Sequence, residues 1–177
     1  MAFFGIWWAW MNYSWLASAY DDGSRNFRLS TFVFIAGALV MAAGISRFFK
    51  DHNLALVVVG YLIMRAVMIW LWLCAAYSDH AHRKTAQRYA FGIAAAQLYW
   101  CLLLLADSAS SVFLILFILG AAIEIAVPFW AERTGMTPWH RHHIIERYGL
   151  LNIIVLGELM LTATGSLRAL AELPVFD

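Results

Sequence analysis

Five polar or charged residues, each close to the middle of a long apolar stretch, are the residues of this sequence best placed to do chemistry. They are Asn12, Arg65, Gln97, Glu124 and Glu158. Because an ionisable side chain at the centre of a bilayer costs at least about 2.5–3.5 kcal/mol, each of these charges needs a partner inside the protein. We expect Arg65 to pair with Glu124 or with Glu158. The two amides would then satisfy the remaining hydrogen-bonding groups.

Two interpretations of this group of residues stay open. In the first, the residues form a structural clamp between helices, with hydrogen bonds worth about 0.6–2 kcal/mol each, in a non-transporting membrane stress or accessory protein. In the second, one carboxylate lacks a strong partner and binds and releases a proton or cation as the helices rock. The protein would then transport a small ion or solute. Glu158 is the stronger candidate for that carboxylate, because Gly157 beside it lets another backbone approach closely.

The apolar stretches themselves predict membrane helices. The chain is 63% hydrophobic and only 13% charged, whereas a soluble domain is nearer half apolar and a quarter charged. Crossing hydrocarbon takes about 20 apolar residues in a helix, and no stretch shows the two-residue alternation of a barrel strand. The sequence therefore predicts an all-α polytopic membrane bundle over residues 1–177, with helices near 2–20, 29–47, 54–77, 88–106, 110–131 and 146–167.

The predicted connections are short, which favours antiparallel packing of consecutive helices, and their charges predict an orientation. Loops on one side carry eight Lys and Arg residues, whereas the other side carries three. This bias places the DDGSRNFR loop and the His-rich HRHH loop in the cytoplasm. Both ends of the chain would then face outward, so we expect a further helix before residue 1.

Small residues and tryptophans predict how the helices pack. Gly37 and Gly44 lie among alanines on the second helix and would let a neighbouring backbone approach closely. Most of the tryptophans suit the membrane interface. Trp10 and Trp70 lie too deep in their spans for that, so we expect both to line the interior of the bundle.

Several classes of function are excluded by what the sequence lacks. The net charge is +1 and there is no basic stripe with interleaved aromatics, so nucleic acid is not an expected partner. The sequence has no Gly-rich phosphate loop, no G-x-S-x-G turn and no C-x-x-C pair. We therefore predict that the protein is not an enzyme and holds no cofactor.

A cluster of histidines near residue 140 leaves three interpretations open. His140, His142, His143 and Glu146 could supply the three or four ligands that zinc requires, although no zincin spacing is present. The histidines could instead report pH, because their ordinary pKa is about 6.5. In the third interpretation they only flank a membrane entry point, while Glu146 and Arg147 pair with loop charges. We predict no metal.

Three segments resemble the bacterial low temperature requirement A proteins. WWAWMNYSWLASAYDDGSRNFRL (7–29) is similar to that family's tryptophan-rich segment, and GYLIMRAVMIWL (60–71), which contains Arg65, is similar as well. HRHHIIERYGLLNIIVLGE (140–158) resembles its most recognisable stretch. The matching residues there are His140, His143, Glu146, Arg147, Tyr148, Gly149, Gly157 and Glu158.

The resemblance implies a multi-pass protein of the bacterial inner membrane, associated by family name with growth in the cold. Family members are longer, so this chain resembles a central portion of one. Their two similar halves are typical of secondary transporters, which is an argument by analogy. The expected partners are the lipid bilayer, an unknown small ion or solute, and a second copy of the chain.

Overall fold

The computed structural model describes residues 2–51, 53–104 and 111–171, and within these ranges the chain is helical without any strand. The all-α fold predicted from the sequence is confirmed. A 3-10 turn, Glu132–Thr134, follows the fifth helix. The six α-helices are α1 (Ala2–Tyr20), α2 (Arg25–Asp51), α3 (Ala55–Ser78), α4 (Arg83–Leu103), α5 (Ser111–Ala131) and α6 (Arg141–Ala171).

Four of these helices are long and apolar enough to cross a membrane. The spans are Arg25–Asp51, Ala55–Ser78, Val112–Thr134 and Arg141–Arg168, with mean hydropathies from 1.6 to 2.6. We expected six such helices. The tryptophans, tyrosines and Asn12 of α1 lower its mean hydropathy, and α4 opens with the polar run RKTAQR. Length and composition therefore support four spans among the six helices.

The observed helices also begin and end at different residues from the predicted spans. α2 begins four residues before the predicted position and ends four residues after it. The Ser24 hydroxyl accepts a hydrogen bond from the amide of Phe27 at 3.1 Å, which caps the helix well outside its apolar run. Most of the predicted loop ADSASS (106–111) lies outside the described residues. Apolar runs thus predict which part of a helix crosses the membrane, whereas capping residues determine where the helix begins.

The chain divides into two compact units, one running to Trp139 and one beginning at His140. The first unit contains α1 to α5. Within it, α2 packs on α3, α3 on α4, and α4 on α5, while α1 packs on α3. The second unit contains α6. All side-chain contacts that bear on chemistry below lie within the first unit.

Glycines bring α2 and α3 into backbone contact. A Cβ atom on Gly60 would lie 2.6 Å from the carbonyl oxygen of Gly37, and one on Gly44 would lie 2.7 Å from the amide nitrogen of Val57. Real Cβ atoms do not approach that closely, so only glycine fits at these positions. The close-approach surface predicted at Gly37 and Gly44 is confirmed, and its partner on α3 is Gly60.

The tryptophans that line the interior are not the pair that depth alone predicted. Trp70 is 58% exposed, so the prediction for that residue is wrong, and Trp10 is only half-buried. Trp8, Trp72 and Trp100 are buried instead. Residues two apart on a helix face directions about 200° apart, so the correct depth can fall on the wrong face.

Asp79 organises the connection between α3 and α4. Its side chain accepts hydrogen bonds from the amides of Ala81 and His82, from the His82 ring at 2.7 Å and from the Tyr20 hydroxyl. Burial alone would raise the pKa of the Asp79 carboxyl. The hydrogen bonds from His82 and its positive charge outweigh burial and hold that pKa below its ordinary value.

Replacing Asp79 by alanine is expected to cost about 1 kcal/mol of stability at neutral pH, because two amides lose their acceptor. A carboxyl with a lowered pKa stabilises the fold above its ordinary value of 3.8 and loses that effect as the pH falls further. The gap in melting temperature between wild type and Asp79→Ala should therefore narrow on acidification. Asp51→Ala, at the exposed end of α2, is the control. A gap that widens in acid would contradict this assignment.

Candidate functional site

The carboxylate of Glu124 on α5 is the centre of the polar interior. Glu124 is only 2% exposed. Its two oxygens accept hydrogen bonds from five side chains, and we call these six residues the Glu124 cluster. The donors are Trp8 Nε1 and Arg65 Nη2, each 3.0 Å from Oε2, and Tyr61 OH, Gln97 Nε2 and Trp100 Nε1, each 3.1 Å from Oε1.

Helical spacing explains why these donors converge. Tyr61 and Arg65 are four residues apart on α3, and Gln97 and Trp100 are three apart on α4, so each pair shares one face of its helix. Trp8 reaches the same carboxylate from α1. A single side chain on α5 therefore joins four helices of the first unit.

The charges of the cluster are paired inside the protein. Arg65 is 0% exposed, and its guanidinium forms an ion pair with Glu124 at 3.0 Å. The same nitrogen donates to the hydroxyl of Tyr61, and the guanidinium carbon lies 4.7 Å from the centre of that ring. A buried ion pair is favourable only when further hydrogen bonds satisfy both partners. The carboxylate receives four of them, whereas Arg65 Nε has no partner among the described residues.

The number of hydrogen-bond donors also limits what the Glu124 carboxylate can bind. An ionised carboxylate offers about four lone-pair positions, and here five donors share them. A protonated carboxyl would have to direct its own O–H toward another donor. The arrangement thus stabilises the anion, and it leaves no oxygen of Glu124 available for a passing ion.

Two of the residues expected at this centre have other surroundings. Asn12, expected to complete the hydrogen bonding of the charged pair, donates its amide to the carbonyl of Trp8 at 2.8 Å. Glu158 lies on α6, in the second unit, and forms no ion pair within that helix. Between the two glutamates that the sequence left open as the partner of Arg65, the ion pair is made by Glu124.

Three donors of the cluster were missed by the sequence analysis. Trp8, Tyr61 and Trp100 were counted with the apolar residues, although each carries one N–H or O–H. Spacing was the available signal, because Tyr61 lies one turn before Arg65 and Trp100 one turn after Gln97. A buried carboxylate needs such donors, and indole groups in mid-span can supply them.

A cavity of about 350 Å³ opens beside the cluster, between α1, α3, α4 and α5. We call it the aromatic cavity. It lies toward the end of the unit where α1, α3 and α5 finish and α4 begins. Its walls are Trp8, Met11, Asn12, Trp15, Trp72, Tyr89, Ile125, Pro128, Phe129, Glu132 and Thr137.

A second, smaller cavity of about 60 Å³ has almost wholly apolar walls. Phe4, Met41 and Phe113 contribute to it, together with Tyr61 and Trp100 of the Glu124 cluster. The aromatic cavity, in contrast, touches the cluster through Trp8. The Glu124 cluster therefore separates the two cavities. Tyr61 and Trp100 line the smaller cavity, and Trp8 lines the aromatic cavity.

The motif residues of the His-rich segment lie along one helix. His140 directly precedes α6, and the remaining motif residues lie on it, including His143, Glu146, Arg147, Gly149, Gly157 and Glu158. The rings of His140 and His143 are 5.5 Å apart between centres. Within the described ranges, no three His, Cys, Asp or Glu side chains are grouped so that they could hold a metal ion.

Comparison with known proteins assigns the family. A model of the bacterial low temperature requirement A protein family matches residues 1–175. The chain is also 27% identical over 168 residues to "Uncharacterized protein RA0937" of Rhizobium meliloti (strain 1021). That match covers 90% of this chain and 40% of the relative, so the chain spans less than half of the relative's length. No solved structure matches. The chain therefore belongs to the bacterial low temperature requirement A family.

Proposed function

We propose that this chain forms the solute-binding part of a membrane carrier, with the Glu124 cluster as a closed barrier. The observation that carries the proposal is the pair of cavities on either side of this cluster. A carrier needs a site that one side can reach and a barrier that separates it from the other. The aromatic cavity supplies the first, and four helices joined at one carboxylate supply the second.

In this proposal the ion pair does not carry the transported species. Arg65 and Glu124 neutralise each other, and five donors already occupy the carboxylate. The solute binds in the aromatic cavity, and Trp8 is the wall that this cavity shares with the barrier. Movement of α1, which contributes Trp8, would then connect solute binding with the opening of the barrier.

Reconstitution of the protein into liposomes tests the proposal. The interior is assayed for protons, potassium, an organic anion and the organic cation choline. We expect wild type to pass at least one of these probes. Ile125→Trp, which fills the aromatic cavity, should reduce that flux about tenfold or more. Ile118→Trp is the matched control, because it makes the same change two turns earlier on α5, at a residue that lines neither cavity.

Absence of flux for every probe, from folded wild-type protein, would overturn the transport proposal. Equal flux through the two tryptophan variants would remove the aromatic cavity from the path. We predict that the Ile118→Trp variant keeps the flux of wild type and that the Ile125→Trp variant loses most of it.

A second candidate function is a membrane accessory protein whose polar centre is purely structural. The saturation of Glu124 favours it, because a carboxylate shared by four helices acts as a clamp whether or not anything is transported. This candidate predicts no flux of any probe, together with a large stability loss when Glu124 is replaced.

A further inference from the structure

The aromatic cavity contains one negative charge without a cationic partner in the described part of the chain. Glu132, in the 3-10 turn after α5, is half-buried and accepts a hydrogen bond from the Tyr89 hydroxyl at 2.9 Å. The two ion pairs formed in these ranges are Arg65–Glu124 and His82–Asp79, so neither neutralises Glu132. A partly desolvated carboxylate attracts a cation more strongly than an exposed one does.

Aromatic side chains form much of the wall around this charge. Five of the eleven lining residues are aromatic, namely Trp8, Trp15, Trp72, Tyr89 and Phe129. Trp72 and Tyr89 stack in parallel with centres 4.2 Å apart, which holds that wall rigid. Aromatic faces attract ammonium groups electrostatically, and cages of such rings recognise quaternary ammonium ligands. An inorganic cation would prefer six or more oxygen ligands, whereas most of the lining residues of this cavity are aromatic or aliphatic.

We propose that the aromatic cavity binds a small organic cation. The ammonium group lies near Glu132 and the aromatic rings. The volume of about 350 Å³ is near the lower end of the range of about 300–1,000 Å³ for ligand pockets, which suits a small molecule. The inference rests on the proposed function, since it names the class of solute for the same cavity.

Binding of choline to the detergent-solubilised protein, measured by calorimetry, is the test. We expect choline to bind at least about tenfold more tightly than dimethylbutanol, its uncharged carbon analogue, because the cavity favours the charge. Glu132→Gln should weaken choline binding about tenfold or more. Asp51→Asn, which removes a carboxylate at the exposed end of α2, should leave it unchanged.

Tetramethylammonium has the charge of choline but no hydroxyl. It should bind within about tenfold of the affinity of choline, because the charge and the aromatic walls account for the binding. Equal binding of choline and dimethylbutanol by wild type would overturn the inference, even where Glu132→Gln does not fold. Choline binding without flux would overturn transport alone, and flux of another probe without choline binding would overturn the cation site alone.

Discussion

Glu124→Gln is expected to lower the free energy of unfolding of the detergent-solubilised protein by about 3–5 kcal/mol, as breaking a buried ion pair does. Arg65 is 0% exposed and would keep its charge with no anion beside it. The glutamine also offers a single acceptor oxygen to donors that now share two. Titration with a denaturing detergent, followed by loss of helical signal, measures the change.

A double substitution distinguishes loss of the ion pair from general damage. Arg65→Met combined with Glu124→Leu leaves no buried charge, so it should be more stable than either single variant. Glu158→Gln is the matched control, because it makes the same chemical change in a glutamate of α6 and leaves the Arg65–Glu124 pair intact. Single losses that simply add in the double variant would contradict the ion-pair explanation.

Gly60→Ala is expected to destabilise the protein by about 1–3 kcal/mol, the usual effect of overpacking. The new Cβ would lie 2.6 Å from the Gly37 carbonyl oxygen, and since both atoms belong to rigid helices, α2 and α3 must separate. The same denaturing titration reports the loss.

Gly5→Ala is a control for which we expect no loss of stability. There the new Cβ would meet the terminal methyl group of Met41, the end of a flexible side chain that can move. Alanine favours a helix by up to about 1 kcal/mol over glycine, so this variant should be neutral or more stable. A stability loss at Gly5 equal to that at Gly60 would refute the backbone-contact explanation.

The sequence predicted the helical fold and the requirement for an internal partner of Arg65, because both follow from the cost of burying polar groups in hydrocarbon. It could not choose between Glu124 and Glu158, since similar depth places both within reach. That choice depends on which face each helix turns inward. The same limit explains the wrong prediction for Trp70. Its depth in the span is compatible with the interior of the bundle, but its side chain is exposed.

The aromatic parts of the site were harder to predict. Trp8 and Trp100 read as apolar residues, and their single N–H groups become important only when a buried carboxylate lies beside them. No sequence pattern predicts the aromatic cavity, because its walls come from four helices and from the segment after α5. Glu132 lies just beyond an apolar stretch, so its depth gives no reason to expect a buried charge there.

Infrared spectroscopy can show whether Glu124 is an ionised acceptor of hydrogen bonds from α1, α3 and α4. A difference spectrum between wild type and Glu124→Gln, with isotope-labelled glutamate, isolates the vibration of this one carboxyl group. At neutral pH we expect the lost band to be that of an ionised carboxylate, because five donors point at its two oxygens. A lost band from a protonated carboxyl would contradict this assignment.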